Sequence, residues 1–116
     1  MRNSQPREIR FFQTSNGREP FNEWFESIRD PTTQNRIEDR LHRVALGNFG
    51  DCRSVGAGVS ELRLHFGAGY RIYFGEVDNT VVLLLCGGDK SSQRRDILRA
   101  KTYWRAYQEI HQREKS

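Results

Sequence analysis

Arg63, His65, Arg71 and Tyr73 occupy alternating positions in two short segments on either side of Gly67-Ala68-Gly69. Interleaved with them are Leu62, Leu64 and Phe66 before the glycines and Tyr70, Ile72 and Phe74 after them. A period of two puts the apolar set on one face of a sheet and the polar set on the other. If the glycines form a three-residue hairpin loop with Phe66 opposite Tyr70, then His65 faces Arg71 and Arg63 faces Tyr73. Two arginines, a histidine and a tyrosine on one face repel one another unless an anion meets them. A solvated sheet face is the plainer alternative. The chemistry on offer is that of phosphate. Guanidinium forks fit non-bridging oxygens, and an imidazole changes protonation near neutrality. Beside Arg71 the neutral, proton-accepting imidazole is favoured. Tyr73 can stack on a base, donate a proton, or pack beneath a loop.

A second group of candidates follows the last apolar run, in Gly87-Gly88-Asp89-Lys90-Ser91-Ser92-Gln93. Paired glycines permit a sharp bend or the close approach of a ligand. Lys90 projects just before a helix start, a position attractive to phosphate. Arg94 and Arg95 oppose the helix dipole there, which an anionic partner would relieve. Asp89 either orients Lys90 or caps the helix, and Ser91 or Ser92 can serve as its cap. A solvated lysine in an ordinary strand-to-helix turn accounts for several of these residues without any ligand.

These side chains need a scaffold. Arg7 to Thr14 alternates and ends at Ser15-Asn16-Gly17, which predicts a strand. Pro20 then opens a helix with Phe21, Trp24, Phe25 and Ile28 on one face. Asp30-Pro31 starts another, with Ile37, Leu41 and Val44 inward and Gly47 as its stop. The stretch from Gly47 to Gly58 reads as a glycine-rich connector; it lacks the residue order of a phosphate loop. After the hairpin, Asp78-Asn79 makes a second tight turn, expected to set Val77 opposite Thr80 and Cys86 opposite Arg71. Val81 to Cys86 is apolar on both faces, like a central strand. A long helix closes the chain, with Ile97, Ala100, Trp104, Tyr107 and His111 on one stripe. The expected class is α+β, a small antiparallel-rich sheet in the order β-α-α-β-β-β-α. One domain over residues 1–116 is expected, with a flexible tail from about 112.

Composition sets the outer bounds. The chain has 116 residues, 35% hydrophobic and 29% charged, with a mean hydropathy of −0.82. Seven Phe, four Tyr and two Trp compensate for the scarce aliphatics, so a core forms and disorder is excluded. No run is long enough to span a bilayer, and the polar start does not read as a signal peptide, so a cytoplasmic location is expected. Cys52 and Cys86 make neither a disulfide framework nor a metal site, and no cofactor is implied. The net charge is +4, and sixteen of the nineteen cations are arginine. That bias favours nucleic acid or an acidic partner over a merely basic surface.

Several segments, in order, resemble one family. They are Gly47-Asn48-Phe49-Gly50-Asp51, Val55 to Arg63, Gly69-Tyr70-Arg71-Ile72-Tyr73-Phe74 and Leu83 to Gln93, together with the Pro20-Phe21-x-x-Trp24 helix start and the Asp96-Ile97-x-x-Ala100 step. They look like the phage-derived addiction-module killer proteins. These are similar to the RelE/ParE superfamily of toxins in type II toxin–antitoxin systems, on the HigB side. The resemblance spans roughly Ile9 to Trp104. It implies two N-terminal helices on one face of a compact sheet and a concave basic face opposite. It also implies a ribosome-dependent endoribonuclease that cuts mRNA and so inhibits translation, partnered by a cognate antitoxin protein. Carried over by position, Arg63 and Arg71 match the strand arginines of the catalytic surface, Lys90 the cation closing the last strand, and Arg53 an mRNA-contacting cation. The C-terminal tyrosine or histidine of such enzymes has only Tyr103 and His111 as counterparts, neither in a matching motif.

Cleavage of RNA by its own 2′-hydroxyl requires a base, stabilisation of phosphate charge and an acid for the leaving oxygen. Arg63, Arg71 and Lys90 suit the charge role and His65 the base, while Arg53, Tyr73, Arg94 and Arg95 are RNA-contact candidates. A gyrase poison of the ParE type, acting by protein binding, shares the fold without the nuclease site. A non-catalytic RNA-binding regulator is the third reading, and no helix-turn-helix signal supports it.

Overall fold

In a computed structural model, residues 5–115 form nine elements. They are β1 (Glu8–Phe11), α1 (Pro20–Ser27), α2 (Pro31–Ala45), β2 (Cys52–Gly56), β3 (Val59–Arg63), β4 (Arg71–Val77), β5 (Val81–Gly88), a 3₁₀ turn at Lys90–Ser92 and α3 (Gln93–Lys115). Local signals set most boundaries. Asp30 caps α2 by accepting from the Thr32 amide at 3.2 Å and the Thr33 hydroxyl at 2.9 Å, with Pro31 at the first position. Gly47, at φ +95°, leaves α2 through the left-handed region, and Asn48 N–H donates back to the Arg43 carbonyl.

The strands make one mixed sheet in the order β1-β5-β4-β3-β2. β1 runs parallel to β5, and every other pairing is antiparallel. The α+β class holds, but the expected order lacked a strand. The supposed connector contains β2, which pairs with β3 across a tight turn at Ala57-Gly58. Both turn residues have positive φ, as such hairpins require. Glycine richness here signals a hairpin, not a loop.

Both faces of the sheet are covered, contrary to the open basic face expected. On one side, Phe21 of α1 and Ile37 and Val44 of α2 bury Leu62, Leu64, Ile72, Phe74, Val82 and Leu84. On the other, Ala100 and Trp104 of α3 bury Val59, Tyr73, Leu83, Leu85 and Cys86. The apolar stripe of α3 has to be buried somewhere, and β5, apolar on both faces, supplies the second surface. Contact there is close enough to forbid a side chain at Gly75, where a Cβ would lie 2.4 Å from the Trp104 ring. α3 continues to Lys115, through the stretch expected to be flexible; residues 1–4 and Ser116 lie outside the described residues.

Two registers differ from expectation. Arg63 pairs with Arg71 and Glu61 with Tyr73, so the β3–β4 connection is longer than the three glycine-loop residues. Leu64 N–H still donates to the Tyr70 carbonyl at 3.0 Å. The shift is by two residues, so each side chain keeps its face while changing its neighbours. At the β4–β5 turn Asp78 and Asn79 take positive φ and Thr80 N–H bonds the Val77 carbonyl, yet the ladder resumes with Val77 opposite Val81. A bulge at Tyr73/Phe74 then puts Gly88 opposite Arg71 and Cys86 opposite Tyr73.

Candidate phosphate-binding site

Arg71, the first residue of β4, is 2% exposed, and it is the largest of the fully buried side chains. Its Nη1 donates to the carbonyls of Gly69 and Tyr70, each at 3.1 Å. Its buried Nε has no acceptor, and no carboxylate lies within ion-pair distance among the described residues. Opposite it, Arg63 also has a buried Nε without a hydrogen bond; Glu61 Oε1 lies 3.9 Å away. Lys90 stands exposed in the 3₁₀ turn beside the same corner: a Cβ at Gly69 would lie 3.4 Å from Lys90 Cβ and 3.7 Å from Arg71 Nη1. A buried, unpaired guanidinium is costly in a folded protein, and its natural complement is an anion. Three of the expected residues thus meet at the end of the sheet where β3 stops and β4 starts.

His65 lies on the same rim with a different neighbour from the one expected. Its ring is largely exposed, and Nε2 lies 2.5 Å from Asp51 Oδ2. The register shift puts Arg63, not His65, opposite Arg71, so the expected pairing of His65 with Arg71 does not form. Asp51 was not among the candidate site residues, although it closes the Gly47-Asn48-Phe49-Gly50-Asp51 segment of the resemblance. The hydrogen bond to His65 holds the Asp51 carboxyl below its ordinary range. The backbone carbonyl of Asp51 accepts from Arg63 N–H at 3.0 Å and from Arg40 Nη2 at 2.8 Å. Buried Arg40 also donates to the carbonyls of Phe49 and Arg63, tying the loop before β2 to the end of β3. An aspartate that orients a histidine fixes which ring nitrogen takes up a proton.

Tyr73 does not reach the surface. It is fully buried under α3, and its hydroxyl donates to Glu61 Oε2 at 2.9 Å. Burial first, and that bond second, push its pKa far up, so it is not available for stacking or proton donation. Glu61, also fully buried, accepts in addition from Gln93 Nε2 at 2.9 Å and Arg53 Nε at 3.0 Å. Burial alone would raise the Glu61 pKa, but bonds from Gln93, Arg53 and Tyr73 outweigh it and hold it below the ordinary value. Arg53, half-exposed, is therefore partly spent on this network, which joins β2, β3 and β4 to α3. Glu61 escaped notice because a lone glutamate among alternating residues looks like a solvated position.

The last strand's end is organised by Asp89, which caps the 3₁₀ turn through the amides of Ser91 and Ser92, with Ser92 Oγ in turn accepting from the Asp89 amide. The serine caps expected for the long helix are replaced by this box. Gly87 and Gly88 serve packing: a Cβ would fall 2.2 Å from the Trp24 ring at Gly87 and 1.8 Å from Asp96 Oδ2 at Gly88. Arg94 and Arg95 are exposed, with Arg95 Nε 3.6 Å from Asp96 Oδ1. Tyr103 stacks on Phe12 and His111 on Tyr107. No three His, Cys, Asp or Glu side chains among the described residues could jointly hold a metal ion.

Fold and site together define, among the described residues, an α+β protein with a five-stranded mixed sheet, three helices and a corner where Arg63, Arg71 and Lys90 gather. No family model matches the chain. A Haemophilus influenzae protein described as an uncharacterized protein is 43% identical over 81 residues, which cover 70% of this chain and 82% of the relative. The chain belongs to the family of that protein. No helix among the described residues is long and apolar enough to cross a membrane.

Proposed function

We propose that this chain is the toxin of a type II toxin–antitoxin system, RelE-like in fold and HigB-like in kind. It acts in the cytoplasm as a ribosome-dependent mRNA endoribonuclease. The observation carrying this reading is Arg71, buried, charged and unpaired beside a second guanidinium with an unbonded Nε. In the reaction, His65, oriented by Asp51, takes the proton from a ribose 2′-hydroxyl. The 2′-oxygen attacks the adjacent phosphorus, and the bond from phosphorus to the 5′-oxygen breaks. The leaving 5′-oxygen takes a proton from water, giving a 2′,3′-cyclic phosphate and a free 5′-hydroxyl. Arg63, whose side chain is partly exposed, donates to the non-bridging oxygens as charge builds, Arg71, buried beside it, adds positive charge from below, and Lys90 adds it at the rim. The cognate antitoxin is expected to bring an acidic segment to this corner, with association that weakens as salt rises.

Induced expression without a partner, followed by pulse labelling, tests the reading. Methionine incorporation should stop while thymidine incorporation continues, with cleaved mRNA recovered from ribosomes. Loss of thymidine incorporation with an induced DNA-damage response would replace it with the gyrase-poison reading. A folded protein with neither effect, whose RNA binding persists, would leave the regulator.

A further inference from the structure

β1 pairs only with Val81 to Leu84, so the rest of β5, from Leu85 to Gly88, has no strand on its outer side. A cleft of about 680 Å³ opens there between α1 and the start of α3. That volume is in the range of small-ligand sites. Trp24 and Tyr70 line it as an edge-to-face pair, ring centroids 6.2 Å apart at 63°. The cleft borders the phosphate corner directly. Gly88, in its wall, is the cross-strand partner of Arg71, and the Tyr70 carbonyl holds Arg71 Nη1.

The polar groups of the cleft are unevenly committed. Its carboxylates are spent: Glu23 on Arg18, Asp30 and Asp89 on caps, and Asp96 on Ser92 and Arg99. Arg29, by contrast, is exposed at the rim with no hydrogen bond or ion pair among the described residues. What remains on offer is aromatic surface plus guanidinium donors. We infer that this cleft receives a single RNA base next to the scissile phosphate and favours guanine. The flat rings accept any base. A guanidinium fork fits the adjacent O6 and N7 acceptors of guanine, while adenine puts an amino donor in the O6 position. The inference rests on the endoribonuclease reading for its link to cleavage, but base binding can be measured apart from it.

The test uses nucleosides, which carry no phosphate and so bypass Arg71. Guanosine, adenosine, cytidine and uridine are titrated into the labelled full-length protein while the Trp24 indole N–H and the Gly87 and Gly88 amides are followed by NMR, with Trp24→Phe to assign the indole. Guanosine should shift these signals saturably and bind about 5- to 100-fold more tightly than adenosine. Arg29→Ala, checked for an unchanged melting temperature, should abolish that preference and spread the cut sites mapped on ribosome-bound mRNA. Absence of saturable shifts, or equal affinity for all four nucleosides, would overturn the inference, as would cut sites unchanged by Arg29→Ala, even if cleavage itself occurs. Arg29-dependent guanosine binding by a protein that cuts no RNA would instead sustain the cleft assignment and sink the endoribonuclease reading.

Discussion

Replacing Arg71 by methionine separates what the side chain does for the fold from what it does for an anion. Methionine keeps the apolar stem and removes the charge. The loss is two bonds to the Gly69 and Tyr70 carbonyls, whose residues are half-buried and whose oxygens can take up water, so the net cost is about 1 kcal/mol each. The gain is relief of the orphaned buried Nε, about 1–3 kcal/mol. Arg71→Met should therefore unfold in urea within about 1.5 kcal/mol of wild type. Arg71→Ala, which also forfeits buried methylenes, should cost a further ~0.8 kcal/mol for each. Both variants should lose about 2–4 kcal/mol of transition-state stabilisation, roughly 30- to 1,000-fold in the cleavage step on programmed ribosomes. Arg71→Lys, keeping the charge but not the guanidinium's placement by the Gly69 and Tyr70 carbonyls, should recover only part of the rate. Sulfate supplies the matching equilibrium test. It should stabilise wild type, by about 2.7 kcal/mol at a hundredfold excess over its Kd, and leave Arg71→Met unmoved. A methionine variant that cuts at the wild-type rate, or that sulfate stabilises equally, would refute the anion role.

Glu61 has a folded pKa below its ordinary value, so the stability it contributes is present above about pH 4.3 and lost as pH falls through the folded value. Urea titrations from pH 3 to 7 should show Glu61→Gln less stable by about 1–3 kcal/mol at neutrality, with a flatter acid limb. Burial pushes the Cys86 thiol up to about 12, so iodoacetamide at pH 7.5 should label Cys52 alone, and mass spectrometry of Cys52→Ser should show no adduct. Gly75→Ala drives a methyl into the Trp104 ring and should cost about 1–3 kcal/mol; an unchanged melting temperature would mean that α3 does not cover this face. Asp51→Asn should slow cleavage and shift the pH–rate profile more than it lowers stability, because it acts through His65.

What the chain decided by itself is what adjacent residues can decide. Asp30-Pro31 and Gly47 bound α2 because cap geometry is local. Alternation assigned Leu62, Ile72 and Phe74 to one core and Arg63, Arg71 and Tyr73 to the opposite face, and a register slip of two preserved that division. Arg63, Arg71 and Lys90 were legible as partners because strand period and chain order bring them to one corner. The fate of the opposite face was not legible, because covering it is a long-range event. The apolar stripe of α3 and the two-sided β5 each demanded a partner, and only folding paired them, burying Tyr73 and Glu61 beneath α3. The bond between His65 and Asp51 likewise joins residues fourteen positions apart, through a register that turn residues alone did not specify. Arg71 shows both levels together: its face follows from alternation, while its burial without a counter-charge exists only in the folded molecule.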